Sequence, residues 1–189
     1  MATIVSERLP ETPQTAIILG SGLGKFAECL QNSVIIPYDE IPDYPRSSVS
    51  GHEGRWVFGY IHEKPIICAQ GRFHCYEGYT AKESALTVEM VDYIGCTSII
   101  ITNAAGCLNL NWELGDLMLI RGYLDCTYSN GSAIPKINPQ PNQSLLSEIK
   151  NQSNISKITL REGNYAWTLG PSYETFAEIQ DIISLGGNA

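Results

Sequence analysis

The sequence predicts an α/β fold, and three observations predict it. Short β-branched runs alternate with amphipathic stretches along the chain. Several of those runs stop at glycine-rich or donor-rich turns, where open α/β sheets bind ligands. The 189 residues, 43% of them hydrophobic and 17% charged, suit one generous domain, 1–189, with a substantial core.

Thr15 to Leu19 is a buried-strand run that stops at Gly20. Leu23 to Gln31 reads as a helix and Val34 to Ile36 as a second strand. Pro37 to Ser50 is rich in proline and turn formers and reads as a long loop. Arg55–Tyr60 and Pro65–Ala69 flank Ile61–Lys64, which predicts a hairpin. Ala81 to Ile94 is helical, because Leu86, Met90 and Ile94 recur every fourth residue and Gly95 stands where a C-terminal cap belongs. Thr97 to Thr102 and Asp116 to Tyr123 are further strands. The Asn-, Ser-, Gln- and Pro-rich stretch from Tyr128 to Ser156 reads as surface loop with a short helix near Leu145–Lys150. Lys157 to Leu169 returns to strand, and Glu174 to Leu185 is a helix closed by Gly186-Gly187.

Composition narrows the function. With 12 Lys+Arg against 20 Asp+Glu, a net charge of −8, the chain lacks the basic surface that nucleic acid or an anionic membrane requires. No apolar run approaches the roughly 20 residues of a bilayer span. The first residues, Met1 to Gln14, lack the basic-then-apolar profile of a secretory signal, so a soluble protein of the cytoplasm is expected. The six cysteines form no CxxC pair and read as small core residues or incidental thiols. Sequons at Asn130, Asn142, Asn151 and Asn154 carry meaning only in a secreted chain. The three histidines show no metal-ligand spacing.

Four segments carry candidate chemistry. Gly20-Ser21-Gly22-Leu23-Gly24 follows a strand; its backbone N–H groups and the Ser21 hydroxyl suit an anion, or the glycines simply make a tight turn. The segment is tempting as a dinucleotide fingerprint, with Asp39 beyond the second strand, but the last glycine position falls on Lys25. Gln70 to Tyr79 follows another strand. Arg72 offers a fork of donors matched to phosphate, and on an extended chain His74 points to the same side. Cys75 points to the opposite face, which argues against a thiol nucleophile. Thr102 to Gly106 is small enough either for main-chain contact with a ligand or for close strand packing. Gly170 to Thr175 offers Tyr173 as an aromatic platform and Glu174 as an acceptor for ring N–H groups, or else ordinary helix-end electrostatics for Glu174. His52 by itself is a lone loop histidine.

Taken in order, GSGLG, SGHEGR, QGRFHCYEGY, TNAAG and REGNYAWTLGPSYET resemble the trimeric purine nucleoside phosphorylases, from about Thr15 to the last residue. The resemblance implies a single domain with a central mixed, twisted β-sheet flanked by helices. It implies phosphate-dependent cleavage of the N-glycosidic bond of inosine or guanosine to free base and ribose 1-phosphate. It further implies a phosphate site of Ser21, His52, Arg72, His74 and the backbones of Phe73 and Ala104, with Tyr76 against the ribose. Glu174 matches the carboxylate that binds purine N–H groups, and Tyr173 stands where the family usually has Phe. A carboxylate there suits 6-oxopurines. No protein nucleophile, metal or cofactor is implied, inorganic phosphate being a co-substrate, and the family assembles as homotrimers.

Two departures accompany the resemblance. The chain stops at Gly186-Gly187-Asn188-Ala189, before the family's Gly-Met-Ser-Thr segment, which implies a truncated form lacking the C-terminal part of the fold. That part supplies another phosphate-binding serine, an Asn donor to purine N7 and a histidine near the ribose 5′-hydroxyl. The Thr127–Ile155 region also lacks the family's Asn-Pro-Leu and Gly-Pro-Asn elements, so no residue here is assigned to cross a subunit boundary. Two other expectations follow from the same segments. A non-catalytic nucleoside- or phosphate-binding homologue would bind without turnover, and a nicotinamide dehydrogenase built on GSGLG would bind NAD.

Overall fold

The computed structural model describes residues 1–46, 53–128 and 142–189 together with the backbone of 137–139. These residues group into two compact units, Met1–Ala104 and Ala105–Ala189.

The first unit is a five-stranded mixed sheet in the order β2-β3-β4-β1-β5. Its strands are β1 (Thr15–Leu19), β2 (Gln31–Pro37), β3 (Arg55–Ile61), β4 (Lys64–Gln70) and β5 (Ser98–Ile101). β1 runs parallel to both β4 and β5, while β3 is antiparallel to β4 and to β2. The unbroken apolar run of β1 follows from burial on both faces. Ala16 and Ile18 face a core with Val5, Trp56, Ile67, Met90, Val91 and Ile94, and Ile17 and Leu19 face another with Ala27, Leu30, Val57 and Cys68. The Cys68 thiol is pushed up to about 12 by that burial, which marks it as a core residue.

The β3–β4 hairpin turns on His62 and Glu63 with φ of 47° and 63°, the left-handed pair that matches strand twist in a two-residue turn. Helix α1 (Ala2–Arg8) buries Val5; its seven residues are too few to show a helical period in the sequence. Helix α2 (Ala81–Ile94) begins at Thr80, whose hydroxyl accepts from Glu83 N at 3.2 Å while the Glu83 carboxylate accepts from Thr80 N at 2.7 Å. It ends at Gly95 in the left-handed region (φ 94°), where a side chain would be strained.

Between β1 and β2 the expected helix is replaced by a 3-10 segment, Gly24–Cys29. Gly22 (φ 82°) opens the turn and Ala27 is the one buried residue of the short segment, so little packing supports an α-helix there. The described part of the Pro37–Ser50 stretch, 37–46, is also more structured than a plain loop. A 3-10 turn, Tyr38–Glu40, sends Tyr38, Ile41 and Tyr44 into the core.

The second unit is a three-stranded sheet, β7-β6-β8, with β6 at Leu117–Asp125, β7 at Ile137–Pro139 and β8 at Leu160–Trp167. β6 is parallel to β8 and antiparallel to β7. Helix α3 (Gln143–Ser156) is longer than its polar composition suggests. The Asn142 side chain accepts from Ser144 N and Leu145 N at its start, Lys157 closes it in the left-handed region, and Leu146 is its buried residue. Lys150 of α3 pairs with Glu162 of β8 at 2.7 Å. Helix α4 (Phe176–Ser184) packs Ile182 against Leu124 and Cys126. Beyond it, Asn188 N donates to Asn164 O at 2.9 Å and Ala166 N donates to Ala189 O at 2.7 Å, so the last residues run beside β8. Among the described residues no helix is long and apolar enough to cross a membrane.

Candidate functional site

In the first unit the parallel register brings three candidate segments to one edge of the sheet. β1 ends at Leu19 opposite Gln70 of β4, and Ile18 pairs with Ile101 of β5. The turns that follow, Gly20–Gly24, Gly71–His74 and Thr102–Ala104, leave the sheet side by side, in line with the rule that α/β ligands bind beyond the carboxyl ends of strands.

Hydrogen bonds tie these turns together. Gly20 N donates to the Thr102 hydroxyl at 3.0 Å, and that hydroxyl donates to Ile18 O at 2.9 Å. The approach is close: a Cβ on Gly20 would lie 2.6 Å from Asn103 Cα and from Thr102 O, so no larger residue fits. Buried Gln70 performs the same task on the other side. It donates to Gly24 O at 2.6 Å, accepts from Arg55 Nε at 2.6 Å, and receives Gly54 N on its carbonyl at 2.9 Å.

Along the segment after β4 the side chains alternate, as an extended backbone requires. Phe73 is buried against Tyr44, Tyr79 and Tyr38 at ring-centroid distances of 5.4, 5.7 and 5.8 Å, which turns Arg72 and His74 to the other side. His74 is extended (φ −115°, ψ 145°) and its ring stacks on Tyr76 at 4.7 Å and 9°. Burial and the neighbouring Glu77 raise the Tyr76 phenol above its ordinary value, while Arg72 is near enough to oppose them. Arg72, His74 and Tyr76 therefore form one cluster. Ser21 and Ala104 are exposed at the ends of their turns. His52 lies outside the described residues. The residues flanking its segment are anchored, Gly54 on Gln70 and Arg46 on Tyr79, whose hydroxyl donates to Arg46 O at 2.6 Å.

In the second unit, Tyr173 and Glu174 line a cavity of about 440 Å³ with Thr127, Thr168, Glu178 and Ile182 among its walls. Tyr173 is 97% exposed. Glu174 stands directly before α4 but makes no cap hydrogen bond. The cap of α4 is Thr175, whose hydroxyl and N–H both donate to Glu178 Oε2 at 2.7 Å. Glu174 instead accepts a hydrogen bond on Oε1 from the Thr168 hydroxyl at 2.7 Å.

Three residues stand inside the motif segments without a role of their own being legible there: Thr102 and Gln70, which bind the turns together, and Thr168. The capping role of Glu178 did carry a signal, the T-x-x-E spacing from Thr175 ahead of an apolar run. Thr102, Gln70 and Thr168 act through partners distant in sequence or across a bend, for which local spacing has no signature. Among the described residues no cluster of His, Cys, Asp or Glu could hold a metal ion.

Comparison with known proteins covers both sets of segments. A family model described as the phosphorylase superfamily matches residues 14–189. The chain is 36% identical to purine nucleoside phosphorylase 1 of Geobacillus stearothermophilus, a match covering all of this chain and 72% of that protein. It is 38% identical to the purine nucleoside phosphorylase of Anopheles gambiae, covering 100% of this chain and 58% of that one. The crystal structure of Schistosoma mansoni purine nucleoside phosphorylase in complex with acetate superposes with a TM-score of 0.81 at 30% identity, over 99% of this chain and 74% of the other. Its complex with adenosine gives a TM-score of 0.83 at 28% identity, over 99% and 71%. With this identity sustained along its whole length, the chain belongs to the purine nucleoside phosphorylase family of the phosphorylase superfamily.

Proposed function

We propose that the chain is a purine nucleoside phosphorylase acting on inosine or guanosine with inorganic phosphate. The observation that carries this reading is the exit of the Ser21, Arg72–His74 and Ala104 turns from one sheet edge, cross-tied by Thr102 and Gln70. In this reading Ser21, His52, Arg72, His74 and the backbones of Phe73 and Ala104 hold the phosphate. Tyr76 lies against the ribose, Tyr173 beside the base, and Glu174 accepts from the purine N–H groups. The family model spans both compact units, which supports one phosphorylase domain over 1–189.

The chemistry follows from charge. Departure of the purine leaves positive charge on the sugar and negative charge on the base. A phosphate held by fixed donors below C1′ stabilises that cation and then captures it, so the protein acts by electrostatic preorganisation. Arg72 supplies a planar fork of donors suited to phosphate oxygens. The reading calls for phosphate as co-substrate and for no other cofactor. A homotrimer is inferred from the family resemblance alone.

The test is release of hypoxanthine from inosine, assayed with and without phosphate. Release that depends on phosphate supports the reading. Purine or phosphate binding without turnover identifies a non-catalytic homologue instead.

A further inference from the structure

The Glu174 carboxylate stands beside a loop that offers little to hold it. Residues 169–173 are all exposed, and Tyr173 is 97% so. On one side the chain is fixed where Cys126 N donates to Trp167 O at 2.9 Å, at the end of β8. On the other it is fixed at Thr175, where the capping pair with Glu178 starts α4. Glu174 lies between these anchors and takes no part in the cap. The Thr168 hydroxyl spans the base of the loop and donates to Oε1 at 2.7 Å in a part-buried setting. Among the described residues Oε2 has no hydrogen-bond donor, and both residues line the same cavity.

We propose that Thr168 is a positioning residue for Glu174, fixing one carboxylate oxygen so that the other is presented to the N–H edge of a bound purine. This rests on the reading of Glu174 as the purine acceptor. A free glutamate samples several rotamers, and ordering it on binding costs affinity. A β-branched threonine is stiff at χ1, so its hydroxyl is a well-aimed donor. The charge-assisted bond it gives selects one carboxylate orientation before the ligand arrives. The role belongs to the hydroxyl and not to the bulk of the side chain. It also bears on ligands with an N–H at that edge, such as guanine, and not on adenine, whose ring nitrogen there is a bare acceptor.

The full chain is titrated calorimetrically with guanine and with adenine, in wild type and in Thr168→Val, Thr168→Ser and Glu174→Gln. Loss of the hydroxyl in Thr168→Val weakens guanine binding about tenfold with adenine unchanged, and Thr168→Ser restores it. Glu174→Gln weakens guanine binding at least as much. Thr168→Val binding guanine like wild type while Glu174→Gln does not would overturn the positioning role and leave the base reading intact. Equal losses in Thr168→Val and Thr168→Ser, or equal losses for guanine and adenine, overturn it too, since they report loop packing. No guanine binding by wild type, or no effect of Glu174→Gln, removes the base reading and this proposal with it.

Discussion

The turns after β1, β4 and β5 and the segment between β8 and α4 carry comparable candidate chemistry on very different supports. The first three are braced by Thr102 and Gln70, backed by two buried clusters, and so close at Gly20 that a methyl group does not fit. The second is an exposed loop with an anchor at each end and the Thr168–Glu174 bond across its base. The difference teaches where preorganisation is built. Donors that cannot relax suit the small oxyanion proposed for the first region, whereas the carboxylate proposed to meet a base in the second has one hydrogen-bonded neighbour.

The comparison breaks most sharply at Arg72. Replacing it with Met removes the fork proposed to hold phosphate, and phosphate-dependent hypoxanthine release is expected to fall by about 10²–10³-fold, the usual cost of one preorganised donor. A smaller drop would mean that Arg72 does not carry the main share of the phosphate.

Gly20→Ala tests the bracing itself. Its Cβ would meet Asn103 Cα and Thr102 O at 2.6 Å, backbone that cannot swing away, so urea unfolding is expected to show a loss of about 1–3 kcal/mol. Thr102→Val keeps the shape but drops the bonds to Gly20 N and Ile18 O, at about 1–2 kcal/mol by the same assay.

The second region yields smaller effects. Thr175→Ala removes the α4 cap and costs about 1 kcal/mol. Its pH dependence has a definite sign. The side-chain and then the backbone hydrogen bond from Thr175 hold the Glu178 carboxyl below its ordinary 4.5. The stabilisation is therefore complete above that pH and is lost as pH falls through the lowered value, so the wild-type advantage over Thr175→Ala shrinks in acid. Smallest of all, Tyr173→Phe leaves stability within about 0.5 kcal/mol of wild type, because the side chain is 97% exposed.

The same contrast governs what could be read from the chain. β1, the β3–β4 hairpin and α2 were legible because burial on one or both faces imposes a period and Gly95 punctuates it. The motif segments stand out because glycine, arginine and histidine follow directly on strands, where a tight turn and a ligand site look alike in sequence. The Gly24–Cys29 segment misled because its residues suit a helix but bury Ala27 alone, which gives an α-helix little packing support. Helix α3 was underestimated because it buries Leu146 alone and shows a polar face elsewhere. Thr102, Gln70 and Thr168 stayed hidden because a hydrogen bond between residues apart in sequence leaves no mark in local composition.

The most direct test is calorimetric titration of the full chain with inorganic phosphate, in wild type and in Arg72→Met. Saturable binding by wild type that Arg72→Met abolishes is the predicted result. Absence of phosphate binding, or identical binding by both proteins, would contradict the assignment of these turns to the oxyanion.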